Sequence, residues 1–122
     1  MRIDVVFIGT GLVVLVAGMA FGMWMGMNEN FQLADAHAHL NLLGFVVPTL
    51  YGLLHHTYPN LLRSRLAWPQ CIGHLLGLLV FIPGLVLVIQ TGNPAGAIAG
   101  ATIVMLATLT FGYIFLSAAK PD

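Results

Sequence analysis

From residue 66 to residue 119 the chain carries no charged side chain. As one continuous helix these ~54 residues would run roughly 80 Å, far more than the ~30 Å hydrocarbon core of a bilayer, so the segment has to fold back. Turn chemistry for the reversal stands in Thr91-Gly92-Asn93-Pro94. This predicts two spanning helices, over residues 68–90 and 95–118. The same reading gives a first helix over residues 4–28 and a second over 33–54. Pro48 should bend the second, because proline cannot donate the backbone hydrogen bond of that turn. A signal peptide competes for the first span, but so long an apolar region without a convincing cleavage site is expected to be retained. Lipid offers backbone groups no partner, and uncharged runs without alternation select helices.

Composition agrees: 59% of residues are hydrophobic and 7% charged, with a mean hydropathy of +0.95, whereas soluble domains carry about 25% charged residues. The expected fold class is therefore all-α, an integral membrane four-helix bundle forming a single transmembrane domain over residues 1–122. Four basic residues balance four acidic ones, which leaves no cationic surface for nucleic-acid phosphates. The single cysteine, Cys71, excludes an internal disulfide, a cluster held by this chain alone and a c-type heme attachment. Any heme is held noncovalently. Arg2, Arg63, Arg65 and Lys120 fall at one end of the bundle, and only Glu29 and Asp35 fall in the connection between helices 1 and 2. By the positive-inside rule both termini face the cytoplasm.

Gly18, Gly22 and Gly26 recur every fourth residue, as do Gly73 and Gly77, and Gly96 and Gly100. Such faces permit close helix contact in lipid. Three of them on one small bundle exceed what packing within one chain must use, and a homo-oligomer is expected.

All five histidines lie in or beside the spans, where ionisable residues usually face the interior, a cavity or a ligand. His37 and His39 are two residues apart, so on a helix they point about 200° away from each other and cannot serve one metal atom together. Two faces mean two sites. Asn41 follows His37 by one turn and Asp35 precedes His39 by one turn, so either can orient an imidazole. Gly44, on the face of His37, leaves room for something flat and bulky. His55 and His56 lie roughly 27 Å further along the axis and read as a solvated pair at the inner headgroups. His74, in the inner half of helix 3, divides evenly between a structural hydrogen bond and a ligand.

The segment Ala34-Asp35-Ala36-His37-Ala38-His39-Leu40-Asn41-Leu42-Leu43-Gly44 resembles the histidine-bearing tenth helix of subunit I in the heme–copper oxidase superfamily. There one histidine of a His-x-His pair binds the high-spin heme and the other the low-spin heme. That subunit is built from three four-helix arcs, and the present chain resembles one arc, with His-x-His on its second helix. It also resembles short, four-helix, oxidase-subunit-I-like bacterial membrane proteins, in which a histidine near His74 recurs.

The resemblance implies a location in the bacterial cytoplasmic membrane and a homotrimer with a b-type heme at each interface. His39 of one chain and His37 of its neighbour would be the axial ligands, and Asn41 and Gly44 would line the site. A redox partner protein or a quinone would exchange electrons with it. The superfamily's three copper-binding histidines and helix-6 tyrosine have no matching motif here, so no complete oxidase active site is expected. A Cu(I) site is the alternative, because Met19, Met23 and Met27 follow at one-turn spacing with Met25 nearby, all near the edge that holds His37 and His39. A structural or assembly subunit of a larger complex is a third reading.

Overall fold

The computed structural model describes residues 1–118; Lys120, used above for orientation, lies outside the described residues. Helix α1 spans Ile3–Met27, α2 Ala34–Asn41, α3 Val47–Thr57, α4 Ala67–Thr91 and α5 Ala95–Ala118. A π-turn, Leu42–Val46, joins α2 to α3 without a break, and a short 3-10 turn, Pro59–Arg63, follows α3. There is no strand among the described residues.

Helices α1, α4 and α5 are each long and apolar enough to cross a membrane, which makes this a multi-pass membrane protein. The second run, residues 34–57, is helical throughout but segmented. Its total rise is about 36 Å at ~1.5 Å per residue.

The turn between α4 and α5 is closed by Gly92, whose φ of 78° lies in the left-handed region and whose N–H bonds the Val88 carbonyl at 2.9 Å. Three threonine hydroxyls of α5 are satisfied locally. Thr102, Thr108 and Thr110 each donate to the carbonyl four residues back, at 2.7, 2.9 and 2.8 Å.

Four helical runs therefore alternate in direction, with both termini at one end. That end holds the core cluster of Ile3, Phe7, Tyr51, Leu61, Ala67, Cys71, Phe111 and Ile114. Beside it Arg2 grips Asp4 through Nη2–Oδ2 at 2.6 Å and Nε–Oδ1 at 3.2 Å, and His56 Nδ1 lies 3.3 Å from Asp4 Oδ2, tying α1 to α3.

The glycine faces turn out to serve one chain. A Cβ at Gly18 would collide with the Asn41 amide, and one at Gly22 would come within 3.0 Å of His37 Nε2. Gly84 and Gly96 bring α4 and α5 backbone to backbone, and Gly100 rests on Phe81. Gly26, in contrast, has nothing within 4 Å. Six of the seven glycines on the three faces thus meet neighbours within the chain, and Gly26 alone of them stands open. Pro83, inside α4, was given no role by the sequence and lies one residue before the Gly84 crossing.

Because the Phe81 backbone leaves no space at Gly100, Gly100→Ala should destabilise the protein by about 1–3 kcal/mol. Gly26→Ala should be neutral or slightly stabilising. Thermal unfolding of the two variants in detergent checks this, and equal midpoints would refute the packing account.

Candidate functional site

Proline at position 48 removes an N–H and crowds the carbonyl four residues earlier. The helix responds by widening: Val47 N–H bonds the Leu42 carbonyl, five residues back, in place of Leu43. The Leu43 carbonyl would then look to residue 48, which has no donor. His74 fills that role. Its Nε2 lies 2.7 Å from the Leu43 carbonyl, and because a carbonyl only accepts, Nε2 carries the proton. His74 is fully buried, and Tyr51 stands edge-on to it with ring centroids 5.4 Å apart. Of the two roles open for His74, the structural hydrogen bond is the one seen.

On α2 the two histidines splay as their spacing requires. His37 turns toward α1, where Nε2 lies 2.9 Å from the Gly18 carbonyl and the ring meets Phe21 edge-on at 5.7 Å. The same acceptor rule puts a proton on His37 Nε2. Asn41 Nδ2, 3.2 Å from that nitrogen, therefore has no lone pair to bond there and donates to the His37 backbone carbonyl at 3.0 Å.

His39 turns toward α4, with its ring 5.5 Å from Phe81. Its Nδ1 lies 2.8 Å from the Asp35 backbone carbonyl, which fixes the opposite tautomer. The Asp35 carboxylate is not the partner. As a neutral imidazole, His39 therefore presents its Nε2 lone pair on an exposed ring anchored through Nδ1–H, the arrangement common to ligating histidines.

Other expectations shift. Gly44 is buried, but the space beside it is occupied: a Cβ there would come within 2.5 Å of Val14 and 3.3 Å of Leu78. It admits α1 and α4 side chains within the chain. His55 and His56 do not form a solvated pair, since His56 is exposed while His55 is buried between Phe7 and Phe111, at centroid distances of 5.9 and 5.7 Å. Met19, Met23 and Met27 are exposed and Met25 is buried, so the four thioethers do not share one face. Among the described residues no three His, Cys, Asp or Glu side chains converge as a metal site would require.

Gln70 escaped the sequence reading, and it is buried one turn before His74. Its spacing to His74 repeats that of Tyr51 to His55, a pattern that was there to be seen. No protein-family model, curated protein or solved structure matches the chain.

If His74 exists to satisfy the carbonyl that Pro48 frees, the two positions must be coupled. His74→Phe should cost about 1–3 kcal/mol by stranding a buried acceptor. In a Pro48→Ala background, where the α-helical bond to Leu43 can form, the same substitution should cost clearly less. A double-mutant cycle by thermal unfolding measures this, and strict additivity would break the link.

Proposed function

We propose that this chain is a four-crossing, b-type heme-binding membrane protein that transfers electrons or senses redox state, with each heme held between copies of the chain. The observation that carries the reading is His39. A ring exposed on the helix face, locked through Nδ1–H and free at Nε2, is what an axial ligand needs before iron arrives. Exposed Leu42 and Val46 lie further along the same helical run and offer apolar surface to a porphyrin.

One chain offers only one such ring. A bis-imidazole heme needs a second on the other side of its plane, and a symmetric oligomer supplies it from the neighbouring copy. The resemblance to a single oxidase arc favours a trimer. It also favours His37 of the neighbour as the second ligand. For that, His37 Nε2 must leave the Gly18 carbonyl. Asn41, whose amide already touches Gly18, is placed to take over the carbonyl and to steady the turned imidazole.

The heme would supply one-electron exchange at iron. His39 of one copy and His37 of the next would hold it, a pairing whose chemistry favours electron transfer over oxygen binding. The termini face the cytoplasm in this reading, because Arg2, Arg63 and Arg65 gather at their end of the bundle.

Protein purified in detergent from heme-replete cells should show a low-spin band in its reduced-minus-oxidised spectrum and run as a homo-oligomer. His39→Ala and His37→Ala should each abolish the band. Asp35→Ala should keep it, since the bond to His39 comes from the main chain. Colourless wild-type protein would reject the reading, and loss of the band only with Asp35→Ala would reject the assignment of His39.

A further inference from the structure

The half of the bundle nearest the termini contains a second polar group that the heme reading does not use. α3 and α4 run in opposite directions, and their rings meet where Tyr51 stands edge-on to His74. One turn from Tyr51 toward the terminal end is His55, and one turn from His74 toward the same end is Gln70. This register brings His55 and Gln70 to one level of the core. His55 is 1% exposed, Gln70 2% and His74 0%.

None of these side chains is fully satisfied by the protein. His55 Nδ1 and Nε2, Gln70 Oε1 and Nε2, and His74 Nδ1 are all buried without a protein hydrogen-bond partner. Each such group costs about 1–3 kcal/mol if left unpaired, and lipid outside the bundle offers no relief. Their chemistry is complementary. A neutral imidazole has one donor and one acceptor, a primary amide has two donors and an acceptor, and His74 Nδ1 has a lone pair because its proton sits on Nε2. A molecule that both donates and accepts in several directions satisfies the set.

We propose that His55, Gln70 and His74 hold an internal water site, with one or more water molecules bridging the His55 ring, the Gln70 amide and His74 Nδ1. Gln70 also borders an open groove of about 260 Å³ between α4 and α5, walled by Gly73, Ala107 and Thr110 among others, which lies beside the site and not within it. The site gives the bundle a buried imidazole, His55, whose ring proton exchanges with water although its walls are Phe7 and Phe111.

The test is water-to-protein magnetisation transfer by NMR on the full chain in lipid nanodiscs, with histidine and glutamine side chains ¹⁵N-labelled. Transfer from water to the His55 ring N–H and the Gln70 amide is expected. Its absence, a direct His55–Gln70 bond, or a metal ion bound to His55 would overturn the proposal. Stability supplies an independent readout. His55→Phe and Gln70→Leu should each lower the unfolding midpoint, and the double variant should be no less stable than the worse single, because an apolar pair needs no water. Additive losses would overturn it too.

Discussion

Every backbone group of a membrane helix has to find a partner without help from solvent, and Pro48 leaves one carbonyl at the centre of this chain without its helical donor. The π-turn at Leu42–Val46 answers the steric problem and creates an electrostatic one, the unpaired Leu43 carbonyl, which His74 solves from across the bundle. The extra residue in that turn also changes where side chains point. His37 and His55 are 18 residues apart, five turns of an ideal α-helix, and would share a face. One added residue offsets them by about 100°. His37 thereby faces α1 while His55 enters the core between α1 and α5.

That offset explains what the sequence could and could not convey. The distribution of charge is enough to place the three long apolar helices, and Thr91-Gly92-Asn93-Pro94 marks the reversal, because both follow from the bilayer and from local turn chemistry. The splay of His37 and His39 follows from helix geometry within one turn, where no irregularity intervenes. Beyond the π-turn the arithmetic fails. Pro48 announces a disturbance but not its kind, and a bend and a widened turn send His55 to different places. Tertiary contacts are hidden as well. Gly44 reads as room for a ligand until Val14 is brought beside it, and the glycine faces read as surplus until His37, Asn41 and Phe81 are seated on them. Tautomers are hidden too, since only the identity of the acceptor, a carbonyl at both His37 and His39, shows which nitrogen keeps its lone pair.

The polar groups fall into two sets with the π-turn between them. Toward the end away from the termini are His37, His39 and Asn41, arranged around α2, with one ring exposed. Toward the terminal end are Tyr51, His55 and Gln70, enclosed by aromatic rings, with Tyr51 Oη donating to Thr108 Oγ1 at 3.2 Å. His74 belongs to both. Its Nε2 reaches up to the turn, and its Nδ1 is buried without a protein partner.

In the reading proposed above His39 is free as it stands, whereas His37 would have to release a hydrogen bond that holds the second helical run to its neighbours, and that bond and the one made by His74 are unequal. The Leu43 carbonyl has lost its helical donor to Leu42 and faces proline at the next position, so breaking its bond to His74 strands a buried acceptor. The Gly18 carbonyl lies inside the regular helix α1, where the N–H four residues on, that of Gly22, already serves it, and Asn41 stands in contact. Releasing His37 therefore costs about one ordinary hydrogen bond, ~0.5–1.5 kcal/mol, and for its Nε2 to bind a metal the proton there would also have to pass to Nδ1. The π-turn stays anchored while the imidazole beyond it is free to exchange partners, which is the mechanical condition that a site built between copies of one chain has to meet.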